Sequence, residues 1–184
     1  MSNRSQVLLN SLNEYYKNDA YLKCLIEIIN TSNNDQHKVS LRLVDWLVTN
    51  YSKSNNIIYY VDGQPFNMHQ SYKDMLKAYS KKMFDPFRRH VRTYLTCPNY
   101  GNGILETTVA QMTFFKWAID HRVIEYAHDH KVVIKTHMDQ HTQHRAHTNK
   151  MNCTDNQQRI KRKELSKASR GANRYNVDIK VTFS

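Results

Sequence analysis

Glycine and proline are scarce, at four and three residues in 184. So few chain breakers argue against a turn-rich all-β fold and against a long disordered linker. Three cysteines, Cys24, Cys97 and Cys153, are odd in number and far apart, so they make no disulfide framework, and no CxxC pair offers a structural zinc site. Apolar runs are short as well. None approaches the ~18 residues of a membrane span, and the first residues lack the apolar core of a secretory signal. A soluble protein of a reducing, intracellular compartment is expected, with no membrane partner.

Catalytic signatures are missing too. The chain has no P-loop, no GxGxxG, no GxSxG and no HExxH. Cys97, next to Pro98, reads as a strand cysteine and not as a nucleophile. A non-enzymatic protein without a cofactor is the expectation.

What the sequence does have is positive charge. The formal net charge is +11, with an isoelectric point near 9.6. Such an excess attracts polyanions or anionic surfaces. It is unevenly placed. Residues 129–174 carry 11 Lys/Arg against 4 Asp/Glu, whereas residues 1–128 carry 15 against 11.

Apolar spacing organises the rest. Leu8, Leu9, Leu12, Tyr15 and Tyr16 share one helical side, and Tyr21, Leu22, Leu25, Ile26 and Ile29 another, with Asn18-Asp19 as a cap between them. After a polar break at residues 31–36, SLRLVDWLVTNYSK predicts a third helix. Asp62-Gly63 between two short extended runs predicts a hairpin over about residues 57–68, with Pro65 on an edge strand. SYKDMLKAYSKKMFDPFRR, residues 71–89, predicts an amphipathic helix stopped at Asp85-Pro86, with Phe84 and Phe87 bracketing the turn in the core. VRTYLTCPNYGNGIL predicts a second hairpin. ETTVAQMTFFKWAIDHRVIEYAHDH predicts one long core helix capped by Thr107 or Thr108. KVVIKT (131–136) and VDIKVTF (177–183) read as strands that meet, closing off the basic segment between them. The fold class expected is α+β, mainly α-helical, in three portions: residues 1–36 helical, 37–130 helices with two β-hairpins, and 131–184 basic.

Two groups of cations stand out. Arg159, Lys161, Arg162, Lys163, Lys167, Arg170 and Arg174 crowd sixteen residues around one acid, Glu164. That density suits phosphates along a nucleic-acid strand. Nuclear import, or simply a solvated helix face, would account for the same run. Lys73, Lys77, Lys81, Lys82, Arg88 and Arg89 form the second group, on and just after the helix of residues 71–84. Three lysines at four-residue steps repel one another mildly, which favours a ligand over mere solubility.

His137, His141, His144 and His147 stand at helical spacing, and His at i and i+4 is a zinc spacing, with Cys153 or Asp139 available as further ligands. A solvated, His-rich polar helix explains them as well, so no metal is assigned. Protonation of such a cluster in mild acid would strengthen its hold on phosphate.

YKDMLKAYSKKMFDPFRR, ETTVAQMTFFKWAIDHRVIEY and KRKELSKAS…VTFS together resemble a family of small basic proteins of nucleocytoplasmic large DNA viruses, such as mimivirus-like giant viruses, marseilleviruses and iridoviruses. The likeness covers roughly residues 40–184, leaving the first two helices outside. That family has no defined activity, so the resemblance implies a viral setting and carries over no catalytic residue. The His-rich stretch is unusual for it. The function expected is non-specific nucleic-acid binding through phosphate contacts, DNA ahead of RNA, in the virion core or a viral factory of the host cytoplasm. A virion component that docks on an acidic protein partner is the alternative.

Overall fold

A computed structural model of the protein describes residues 3–30, 38–100 and 103–151. Residues Met1–His144 form one compact unit and Arg145–Ser184 a second. The described residues form a mainly helical α+β protein with eight α-helices and two antiparallel hairpins.

Helices α1 (Asn3–Tyr15) and α2 (Asp19–Asn30) arise from the two N-terminal apolar stripes. Asn18 Oδ1 accepts the Ala20 N–H at 3.0 Å, and Asp19 in the first turn of α2 meets the positive end of the helix dipole. Ser40 caps α3 (Leu41–Trp46). Its run continues through a π-helical turn at Leu47–Tyr51 into α4 (Ser52–Asn55), and left-handed Asn56 ends it. The stripe Leu43, Val44, Leu47, Val48 and Tyr51 stays buried across the wide turn.

Strands β1 (Ile58–Val61) and β2 (Gln64–Asn67) pair across Asp62-Gly63. Both turn residues have positive φ, 48° and 78°, as a type I′ turn requires. Helix α5 (Met68–Met83) starts directly after β2, where Asn67 Oδ1 accepts the Gln70 N–H at 2.9 Å. Phe84 ends it in an extended conformation, and the pre-proline residue Asp85, which avoids the α region, keeps the helix from resuming. Phe84 is buried as expected. Phe87 is only half-buried.

Strands β3 (Arg92–Thr96) and β4 (Ile104–Thr108) form the second hairpin. Strand alternation buries Thr93, Leu95, Leu105 and Thr107 and turns Arg92, Tyr94, Ile104 and Glu106 to solvent. Thr108 then caps α6 (Val109–Asp120), its hydroxyl oxygen accepting the Gln111 N–H at 3.1 Å.

Helix α6 is apolar on nearly every side, as a helix enclosed by others must be. Met112, Phe114, Phe115, Trp117 and Ala118 are all buried, and α1, α2, α5 and β4 pack on it. Tyr16 ties α1 to this helix by donating its hydroxyl to the Met112 carbonyl at 2.9 Å.

Two sequence expectations fail in the second half. The single long helix predicted from Thr107 onward is broken: Arg122 adopts a left-handed conformation (φ 55°), separating α6 from α7 (Val123–Asp129). KVVIKT is no strand. It opens α8 (Lys131–Met151), joined to α7 by the bond from the Ile134 N–H to the His130 carbonyl. A β-branched run makes a strand only where it has a partner to pair with and a face to bury. Here Val132 and Val133 are exposed and Ile134 alone is buried, which suits one turn of a surface helix. The strand expected at 177–183 lies outside the described residues.

Candidate functional site

Helix α5 carries the lysine row. Lys73, Lys77 and Lys81 are exposed, and Lys77 pairs with Asp74 at 2.9 Å. The Lys77 bond, helped by Gln70, holds the Asp74 carboxyl below its usual range. Lys81 and Lys82 occupy the last turn, where cations also meet the negative end of the helix dipole. Among the described residues no carboxylate pairs with Lys73, Lys81, Lys82 or Arg88.

The turn after α5 is built around Asp85, which is only 6% exposed. Its Oδ1 accepts the Phe87 N–H at 3.0 Å and Arg89 Nη2 at 3.0 Å, while Oδ2 accepts Arg89 Nε at 2.8 Å. A fork held at two atoms by one buried carboxylate has little freedom left. That bond raises the Arg89 pKa further, and the guanidinium also lies 4.9 Å above the Phe87 ring. His90 follows, its Nε2 3.0 Å from the Lys81 carbonyl and 3.7 Å from Asp85 Oδ2. A ring nitrogen facing a carbonyl must donate, so Nε2 carries hydrogen. Behind the turn, burial pushes the Asp45 carboxyl up against the pull of Arg89 and Lys81. Burial likewise raises the Tyr72 hydroxyl to about 12.

Helix α6 fixes this turn from behind. The Asp85 N–H donates to the Ala110 carbonyl at 3.2 Å. Gln111, fully buried, donates its Nε2 to the Pro86 carbonyl at 2.8 Å and accepts the Thr107 hydroxyl on Oε1 at 2.9 Å. The β3–β4 hairpin extends the basic surface. Arg92 Nε pairs with Glu106 at 3.0 Å, and Arg92 Nη1 donates to the Arg88 carbonyl at 2.6 Å. Tyr94 and Ile104 lie exposed on the same outer face.

Between the end of α5 and the start of α6 opens a cleft of about 640 Å³. It is lined by Lys82, Arg89 and His90 together with Met83, Val91, Val109 and Ala110.

The structure thus gathers Lys81, Lys82, Arg88 and Arg89 of the second predicted group at the end of α5. Lys73 stands nine residues before Lys82, about 13 Å away along the helix axis. The first predicted group, Arg159 to Arg174, lies outside the described residues. His90, Arg92 and Tyr94 were not singled out in sequence. Strand alternation in RTYLT could have placed Arg92 and Tyr94 on one exposed face, but nothing local linked them to α5.

The histidine row serves packing in its first two members. Trp46 Nε1 donates to His137 Nδ1 at 3.1 Å. His137 also stands edge-on to Tyr51 and His141 to Trp46, with ring centres 5.2 and 5.0 Å apart. Among the described residues no group of three potential ligands could hold a metal ion. His147 and Cys153 fall outside that description.

Fold and surface define a mainly helical α+β protein with Lys81, Lys82, Arg88, Arg89 and Arg92 on one helix end and the adjoining hairpin. The chain belongs to the Family of unknown function (DUF7197), whose model matches residues 1–163. It is 32% identical over 143 residues to an uncharacterized protein of Acanthamoeba polyphaga mimivirus, an alignment that covers 73% of this chain and 54% of the relative. The chain therefore spans about half the length of that relative. An uncharacterized giant-virus family is what the three sequence segments implied. The family match begins at residue 1, so it includes α1 and α2, which the resemblance had left outside; both pack on α6 within the same compact unit. No solved structure matches the fold. Among the described residues no helix is long and apolar enough to cross a membrane.

Proposed function

We propose that this protein binds nucleic acid non-specifically through phosphate contacts, DNA ahead of RNA, without catalysing a reaction. One structural observation supports this beyond the overall charge of +11. Five cations, Lys81, Lys82, Arg88, Arg89 and Arg92, converge on one helix end and hairpin, where Asp85 and Glu106 pair with only Arg89 and Arg92. In this reading the 159–174 segment supplies most of the affinity and the α5 end a second surface. Exposed Tyr94 offers a face on which an unpaired base can stack. The setting that goes with it is the virion core or a viral factory.

The test is fluorescence anisotropy with random-sequence duplex and single strand at ~50–200 mM salt. Lys161, Arg162, Lys163 and Lys167 changed together to Ala should lower the log–log salt slope on duplex by roughly 3 to 4 units if each neutralises one phosphate. Absence of binding even at the low-salt end refutes the reading. The second reading, docking on an acidic protein partner, is favoured by Tyr94 and Ile104, apolar groups exposed beside the cations. It predicts a shallow salt response and dependence on those two side chains.

A further inference from the structure

The cleft at the end of α5 differs from the rest of the basic surface because charged and apolar side chains line it together. Its lining joins Lys82, Arg89 and His90 with the apolar Met83, Val91, Val109 and Ala110. A bare phosphate or a strand backbone would meet the cations and leave the apolar part in water. Its volume of about 640 Å³ lies within the ~300–1,000 Å³ of small-molecule sites.

The three polar side chains of the lining are held in different ways. Arg89 is fixed by two bonds to buried Asp85, at 2.8 and 3.0 Å, and its Nη1 has no protein partner among the described residues. His90 spends Nε2 on the Lys81 carbonyl, and its Nδ1 makes no hydrogen bond among the described residues. Lys82 is exposed and has no carboxylate partner among them. A rigid fork whose position is set before a ligand arrives loses little entropy on binding. Two cations, Lys82 and Arg89, exceed the need of a single carboxylate and suit the two charges of a phosphate monoester.

The geometry points to a nucleotide site: the cleft takes a nucleoside monophosphate, with the phosphate on Lys82 and Arg89 and the flat base over the apolar lining. The Met83 thioether supplies the polarizable contact that suits an aromatic face. A free nucleotide and a terminal nucleotide of a strand present the same chemistry here. The site stands apart from the strand-wide phosphate contacts proposed above and survives if those fail.

The experiment is a calorimetric titration of the whole chain with adenosine 5′-monophosphate, inorganic phosphate, adenosine and laurate. A 5′-phosphorylated oligonucleotide and its unphosphorylated counterpart serve as competitors. The expected result is saturable binding of the nucleotide near or below about 1 mM, with phosphate and adenosine each at least about tenfold weaker. Lys82→Ala and Val91→Asp should each weaken it about tenfold or more, the first by removing a charge-assisted bond and the second by adding a repelling carboxylate. Val91 is 76% exposed, so that change leaves the core intact. Lys17→Ala, a change at an exposed residue between α1 and α2 that pairs with Glu14, should change nothing. Stronger competition from the 5′-phosphorylated oligonucleotide assigns the site to strand ends, no competition from either assigns it to free nucleotide, and equal displacement by both overturns the monophosphate assignment. No saturable binding, phosphate binding as well as the nucleotide, laurate binding better, or indifference to both variants overturns the assignment. Duplex binding with an intact salt slope in that event leaves the phosphate-contact reading standing.

Discussion

Replacing Gln111 with methionine tests how the basic turn is held in place. Methionine keeps the length and shape of glutamine and removes both of its side-chain hydrogen bonds. Two buried groups then lose their partner: the Pro86 carbonyl, now 2.8 Å from Gln111 Nε2, and the Thr107 hydroxyl, 2.9 Å from Oε1. An orphaned buried polar group costs about 1–3 kcal/mol, and two give roughly 2–6. The apolar character of methionine offsets about 1 kcal/mol of this, which leaves a net loss of roughly 3 kcal/mol. For a chain of this size each kcal/mol shifts the melting midpoint by about 2–4 °C, so the midpoint should fall by about 6–12 °C. Urea unfolding followed by the fluorescence of buried Trp117 measures the same loss at constant temperature. The double change Thr107→Val with Gln111→Met removes the orphaned hydroxyl and should recover about 1 kcal/mol. A single variant within about 0.5 kcal/mol of the parent, or a double variant weaker than the single, refutes the reasoning.

Asp45 gives a prediction in pH. Its carboxyl is raised because burial outweighs the pull of Arg89 and Lys81. The folded chain therefore binds this proton more tightly than the unfolded chain, and the contribution of Asp45 to stability falls as pH rises from its ordinary value through the raised folded one. Asp45→Asn should melt above the parent near about pH 7, and the gap should close near about pH 3.5; a gap that widens in acid contradicts the sign. His137→Leu removes the acceptor of the Trp46 indole and should cost about 1 kcal/mol. The same change should alter Trp46 emission while leaving that of Trp117 unchanged, and an unchanged spectrum would show that α8 does not rest on Trp46.

Much of this protein follows from rules that act over a few residues. Asp62-Gly63 sets its hairpin because those two residues tolerate positive φ. Thr108 starts α6 because its hydroxyl reaches the Gln111 N–H, and Asp85-Pro86 stops α5 because of proline's ring. Apolar stripes locate the N-terminal helices for the same reason, since spacing is a property of the chain itself. Family membership was legible in two segments, residues 72–89 and 106–126, although the N-terminal helices that share it were not; the third segment, from residue 161, lies almost wholly beyond the matched residues 1–163.

Tertiary structure decided what local rules leave open. KVVIKT has the composition of a strand and becomes a helix, because Ile134 alone finds a buried place and no strand lies beside it among the described residues. Arg122 is left-handed although its side chain gives no reason for it. The charge excess belongs to the sequence alone, since counting needs no fold. The cleft does not: Lys82 on α5, Arg89 and His90 after the turn, and Val109 on α6 meet only because buried Asp85 and Gln111 tie the turn to α6. Contacts between residues more than twenty positions apart depend on which faces become buried together, and no short window of sequence contains that information.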